Sequence, residues 1–304
     1  MKIKCYRQKI ELSVLLLSVL LFFGCSPDKD TFKVMTWNIW HGGLHGAKSV
    51  QFEKDTANTL NVLKVIELED PDILFMQETY CCGMEIARNA GFQYSWRASS
   101  NLSIHSKYPI IDTINIFSPF NSQGVIIDIN GERLMCFNIW LHYLPDYFQD
   151  IKHYSPDSLI AGEEKTRLNE ISAILASIES LGDSLKMPVI IGGDFNSGSH
   201  LDWVESTKHV HYNKVVKWPV SAKIIDNGFK DSFREANPDP LKTLDGTWGF
   251  LNDRIISDRI DFIYYKGDEL KGKSSKIVMD DPPGGFFNSD HRAILTVFNY
   301  EKHR

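Results

Sequence analysis

Asp194 and Asn196 follow an apolar run in PVIIGGDFNS (188–197), setting a carboxylate and an amide just where a buried strand stops. Other apolar runs begin or end the same way. FKVMTWNIW (32–40) carries Asn38, and PDILFMQET (71–79) ends in Gln77 and Glu78. RLMCFNIWLH carries Asn138 and ends in His142, DRIDFIYYKG opens near Asp261, and Asn288 to His291 (NSDH) introduce the last run. One such ending means little, because Gly, Asn and Asp are ordinary turn residues. Six of them predict strand ends that converge on one rim.

The side chains sort by what they can do. Glu78 is an oxygen ligand for a hard divalent ion, and Asn38 offers an amide oxygen beside it; Mg²⁺ is usually held by one or two carboxylates plus waters and substrate oxygens. His291 and His142 suit proton transfer near neutral pH. Asp261 suits an imidazole partner, Asp194 a water-orienting base, and Asn196 an aid to that water's position. No Ser or Cys stands in a nucleophile elbow, so direct attack by water is the simpler route. The chemistry that uses this set is metal-assisted hydrolysis of a phosphoester. His41, followed by Gly42 and Gly43, either touches substrate or merely ends a strand. Among Trp203, Trp218 and Trp248, which core packing would also explain, Trp248 is assigned to the pocket.

These groups need strands to hold them. Besides the runs above, LSIHSKYPI, IDTINIF, GVIIDING and HRAILTVFNY read as strands. TANTLNVLKVIELED reads as a helix with Leu60, Leu63, Ile66 and Leu68 inward, and MEIARNAGF as a short helix capped by Gly91. EEKTRLNEISAILASIESLG reads as one helix, with Leu168, Ile171, Leu175 and Ile178 on one face and Gly182 closing it. No Pro/Gly/Ser-rich linker divides residues 32–300. The expectation is one α/β domain, two packed sheets with helices outside. Cys81 and Cys82 are expected to be helix-start residues rather than a redox pair.

The composition, 43% hydrophobic and 24% charged in 304 residues, is that of a globular protein rather than a disordered one. Residues 1–24 stand apart: Lys2, Lys4, Arg7 and Lys9 precede an apolar run, Leu12 to Phe23, too short to span a bilayer. The run stops at Gly24–Cys25, similar to a bacterial lipoprotein signal cut before a cysteine that is then lipidated; Phe22 stands where Leu is usual. Residues 25–31 would be a tether, residues 32–304 the catalytic domain, and the protein extracytoplasmic, membrane-anchored and monomeric. Without residues 1–24 the chain loses four of its 33 Lys and Arg and one of its 39 Asp and Glu, so its net charge moves from −6 to −9. An acidic protein attracts phosphate backbones poorly, which disfavours a nucleic-acid substrate.

The order TWNIW, QE, SKYPI, GGDFNS, Thr247–Trp248, DRIDFIYY, SDH resembles the endonuclease/exonuclease/phosphatase superfamily of DNase I-like enzymes over roughly residues 32–300. The resemblance implies a four-layer α/β sandwich, two mostly antiparallel sheets with helices outside, and dependence on Mg²⁺ or Mn²⁺. It implies Asn38 and Glu78 near the metal and Asp290 as a ligand or next to one. It implies Asp194 with Asn196 on the water, and His291 supported by Asp261. The central strand departs from the family's Asn-x-His-Leu: Asn138 matches and is assigned to substrate, but Trp140 stands at the His position. Either His142 serves from one pleat further along, or His142 itself is the match. The expected activity is a phosphodiesterase on a small-molecule, lipid or sugar phosphoester. A secreted nuclease and a catalytically silent surface-binding lipoprotein are the alternatives.

Overall fold

Alternation along the strands dictates the layers. In β1 (Thr31–Asn38) Phe32 and Val34 face one side and Met35 and Trp37 the other, and both sets are buried. A strand apolar on both faces must be covered on both. The computed structural model describes residues 31–44, 56–147, 150–185, 187–249, 257–285, 287 and 289–301. The first sheet runs β11 (Leu270–Val278), β12 (Ala293–Tyr300), β1, β2 (Ile73–Gln77), β4 (Leu102–Ser106), β3 (Tyr94–Trp96). The second runs β5 (Ile110–Ile114), β6 (Ser122–Ile129), β7 (Glu132–Trp140), β8 (Val189–Asp194), β10 (Asp261–Lys266), β9 (Lys230–Asp231). Only β1–β2 and β7–β8 pair in parallel among the described strands.

Between the sheets lie Val34, Phe75, Ile104, Val125, Cys136, Ile190, Ile263 and Ile294. After the single turn α1 (Trp40–Gly43), helices α2 (Thr56–Glu69) and α3 (Gly83–Asn89) cover the outer face of the first sheet, packing Val62, Val65, Ile66 and Ile86 on Trp37, Leu74 and Met76. Helices α5 (Arg167–Leu185) and α6 (Pro219–Asp226) cover the second, through Ile171, Ile174, Leu175 and Ile178. The fold is the expected four-layer α/β sandwich.

Several details differ from the sequence expectation. Leu60 and Leu68 are about half exposed; the inward stripe of α2 is Val62, Val65 and Ile66, continued by the buried amides Asn58 and Asn61. The single helix expected from residue 163 is two, α4 (Pro156–Glu164) and α5, broken at Lys165–Thr166, and α5 passes Gly182 to end at Leu185. The strand expected to reach His142 ends at Trp140. Strands β9 and β11 and helix α7 (Ser232–Ala236) had no sequence counterpart. Cys81 and Cys82, one of them the N-cap of α3, are joined as a vicinal disulfide. Arg259 is a buried clamp on Asp202 and Asp231, which no sequence pattern indicated. Cys25, the signal and residues 25–30 lie outside the described residues; Thr31, expected in the tether, already belongs to β1.

Candidate active site

On the face between the sheets, each central strand is apolar until its last pleat and polar there. Val34 gives way to Thr36 and Asn38, Phe75 to Gln77, Ile190 to Gly192 and Asp194, and Asp261 precedes Ile263 on the same face. A period of two carries all these groups to one end of the sandwich. The two glycines of β8 make that approach fit. A Cβ at Gly192 would lie 2.3 Å from Phe75 Cδ2 across the sandwich, and one at Gly193 2.0 Å from the Ile139 carbonyl oxygen.

Asp194 and Asp261 are directly opposite each other in the β8–β10 pair. Like charges facing across an antiparallel pair repel, and His291 sits between them. Its Nδ1 is 2.9 Å from Asp261 Oδ2 and its Nε2 3.9 Å from Asp194 Oδ2. Burial alone would lower the His291 imidazole, but Asp261, Asp194 and Asp290 outweigh it and hold it well above its ordinary value. Burial, with Asp261 adding to it, pushes Asp194 up to about 7 against the pull of His291 and the hydrogen bonds of Asn196 and Asn38. A group poised near neutrality beside a charged imidazole is what proton transfer to or from water requires.

Other chain segments fix this trio. Thr247 Oγ1 accepts the N–H groups of Ile260 and Asp261 at 3.0 and 3.1 Å, setting where β10 begins. Asn196 donates its backbone N–H to Asp194 Oδ1 (3.0 Å) and its amide to Leu141 O (2.8 Å) and Asp194 Oδ2 (3.3 Å). Asn38 donates to Asp194 Oδ2 (3.1 Å) and Glu78 Oε1 (3.2 Å), while its carbonyl oxygen accepts the Trp40 N–H. Asn38 thus bridges the two carboxylates, and its amide oxygen keeps a second lone pair beyond the one the Trp40 N–H uses.

An open cleft of about 690 Å³ gathers most of the expected residues: His41, Glu78, His142, Asp194, Asn196, Trp248, Asp290 and His291. Asn138 is not among them. It is wholly buried one pleat short of the rim, donating to the carbonyls of Met76 and Ser103 and accepting from Gln77, so it is part of the floor beneath the site. Trp203 and Trp218 are also fully buried. Of the two contenders on the central strand, both line the cleft. Trp140 pairs in register with Asp194, whereas His142 lies beyond the strand and accepts the Leu144 N–H on Nδ1, which leaves its proton on Nε2. Tyr80, Phe120, Tyr143 and Asp146 also line the cleft; Tyr143 and Asp146 open the long segment 143–163 that the sequence offers as a specificity loop, whereas Tyr80 and Phe120 carried no sequence signal. Five non-glycine residues around it, Trp40, His41, Glu78, Tyr80 and Asn196, hold φ between +33° and +54°. Such backbone costs ~1–3 kcal/mol per residue and concentrates where function demands a fixed geometry.

A sequence model described as the Endonuclease/Exonuclease/phosphatase family matches residues 35–291. The chain belongs to that family. An uncharacterized Caenorhabditis elegans protein is 28% identical over 292 residues, covering 83% of this chain and 86% of its own. The structure of truncated C. elegans TDP2 superposes with a TM-score of 0.59 at 18% identity, covering 88% of this chain and 97% of that one. The human Nocturnin catalytic domain, solved with a bound sulfate anion, gives 0.57 at 16% identity over 89% and 95%. Family membership makes this chain a phosphoester hydrolase by class, and enzymes of the family depend on divalent metal ions.

The residues present fit such an ion. Asp290 Oδ1 is buried without a hydrogen-bond partner, and its carboxyl is pushed up by burial and by the charge of Glu78, which the attraction of His291 does not cancel. Two carboxylates that repel across a polar cleft are relieved by a cation between them. The buried trio Asp194, Asp261 and His291 also brings ligand atoms within 4.8 Å of one another, a spacing that could hold an ion. There, a 2.9 Å bond already joins Asp261 Oδ2 to His291 Nδ1.

Proposed function

We propose that this protein is a divalent-metal-dependent phosphodiesterase that hydrolyses a small-molecule, lipid or sugar phosphoester with water as the nucleophile. The observation that carries the reading is the Asp261–His291–Asp194 alignment at the base of an open cleft. Mg²⁺ or Mn²⁺ at Glu78, with Asp290 beside it, would neutralise charge developing on the phosphate oxygens. Asp194 and the Asn196 amide orient the attacking water, and Asp194 takes its proton. Asp261 keeps His291 oriented and charged, so that His291 faces a phosphate oxygen as a donor. His142, with its proton on Nε2, is a second donor at the cleft mouth. The acidic balance of the chain supports a small substrate over a nucleic acid.

The signal-like residues 1–24 and Cys25 support a lipid-anchored enzyme; replacing Cys25 by Ser should move it from the membrane fraction to the soluble one. The activity is tested with the full chain in detergent on bis(p-nitrophenyl) phosphate and p-nitrophenyl phosphate, with Mg²⁺, with Mn²⁺ and with EDTA. Metal-dependent turnover of the diester is expected. Turnover of the monoester alone would replace the reading by a phosphatase, and equal rates with EDTA would remove the metal from it.

A further inference from the structure

One wall of the cleft is built from aromatic rings, of which the chemistry above uses only His142. Phe120 comes from the connection between β5 and β6, Trp140 is the last residue of β7, and His142 and Tyr143 follow it. Phe120 meets Trp140 edge-on, with centroids 5.7 Å apart and planes at 89°. Trp140 and Tyr143 are 6.2 Å apart and tilted at 52°, and Tyr143 stacks on the His142 ring at 5.2 Å with 6° between planes. The rings support one another, yet Phe120 and Tyr143 remain 40% and 50% exposed. Held rings with open faces in a concave site offer contact area at little entropic cost.

Two further facts fix what such a wall would hold. Trp140 is the register partner of Asp194, so the wall starts on the strand beside the one that carries the carboxylate assigned to the water, about 4.8 Å away backbone to backbone. A group lying on it would be bonded directly to the reacting phosphate. Among the described residues lining the cleft none is Lys or Arg, whereas Glu78, Asp146 and Asp290 are acidic. That wall does not suit a second phosphate or a carboxylate.

We infer that Phe120, Trp140 and Tyr143 form a specificity subsite for an uncharged ring carried by one ester group of the substrate. The enzyme then selects phosphodiesters of ring alcohols over those of simple alkyl alcohols. This rests on the phosphodiesterase reading above. The shared chemistry is a flat ring face, which an aryl group, a nucleoside or a pyranose can each present.

The test compares four p-nitrophenyl phosphodiesters, whose second alcohol is methanol, phenol, the 5′-hydroxyl of thymidine or the 6-hydroxyl of glucose. Wild-type kcat/KM for the favoured ring ester should exceed that for the methyl ester roughly 5- to 150-fold, the range that stacking on an aromatic side chain gives. The ring ester with the largest excess identifies the source of the ring. In Trp140→Ala, and in the surface double variant Phe120→Ala/Tyr143→Ala, the ring-to-methyl ratio should collapse toward one. A wild-type ratio near one overturns the subsite, and so does a ratio that survives both variants. Binding of the same esters in EDTA, read by tryptophan fluorescence, separates the two ideas. Tighter binding of ring esters without turnover would keep the subsite and remove the hydrolase; equal binding of all four would remove the subsite.

Discussion

Replacing Asp261 by Asn changes one charge and almost no volume at the base of the site. Asp261 is wholly buried, its Oδ2 lies 2.9 Å from His291 Nδ1, and its other oxygen has no hydrogen-bond partner. It is also among the carboxylates that overcome the burial penalty and hold His291 in its charged form. An amide of the same shape presents either an oxygen that no longer carries charge or an NH₂ group that forces the imidazole proton onto Nε2. Either way the charged donor opposite the phosphate is lost while the ring stays in place. A general acid or base of this kind contributes ~10²- to 10⁴-fold, about 2.7–5.4 kcal/mol of transition-state stabilisation.

The expected result is a fall of kcat in that range on bis(p-nitrophenyl) phosphate, with KM changed less than about threefold, since Asp261 touches His291 rather than substrate. Circular dichroism and the thermal midpoint check that the variant folds. A folded Asp261→Asn enzyme with kcat within about threefold of wild type would refute the assignment of His291 as an Asp-supported donor. A rise in KM alone would make the pair a binding feature instead.

Three other outcomes follow from particular contacts. Asn38→Ala removes the bridge between Glu78 and Asp194, and the Mg²⁺ concentration for half-maximal activity should rise roughly 10- to 100-fold; an unchanged metal titration would separate Asn38 from the metal. Gly192→Ala drives a Cβ to within 2.3 Å of Phe75 and should destabilise by ~1–3 kcal/mol in urea unfolding, partly recovered by Phe75→Leu; additive losses would argue against this contact as the cause. His105, buried between the hydroxyls of Ser95 and Ser103, is lowered from 6.5 to about 3 by burial. The unfolded chain binds a proton below about 6.5 that the folded one refuses, so this stability is present above that pH and is lost as pH falls toward 3. Between about pH 7 and pH 5 the loss is about 2 kcal/mol, nearly independent of the low folded value. His105→Gln should lose correspondingly less than wild type over that interval, and parallel losses in both would overturn it.

What could be read in the sequence was the convergence of polar strand ends, and the reason is period two. Once Val34, Phe75, Ile190 and Ile263 are known to face inward, Asn38, Gln77, Asp194 and Asp261 must face the same way, and the topology brings them to one end. Face assignment failed where polar residues broke the pattern. In α2 the buried Asn58 and Asn61 continue the stripe of Val62 and Val65, so counting apolar residues alone selected the exposed Leu60 and Leu68. Asn138 failed for a subtler reason: it has the right face but lies one pleat inside, and no spacing rule says how many pleats separate a strand end from solvent. Phe120 was invisible because loop residues meet only through the fold. Trp140 was visible, but as a defect, an aromatic where a family histidine was expected. Its ring is bracketed by Phe120 and Tyr143 and lies beside Asp194 in register, and that placement turns the mismatch into an argument about substrate.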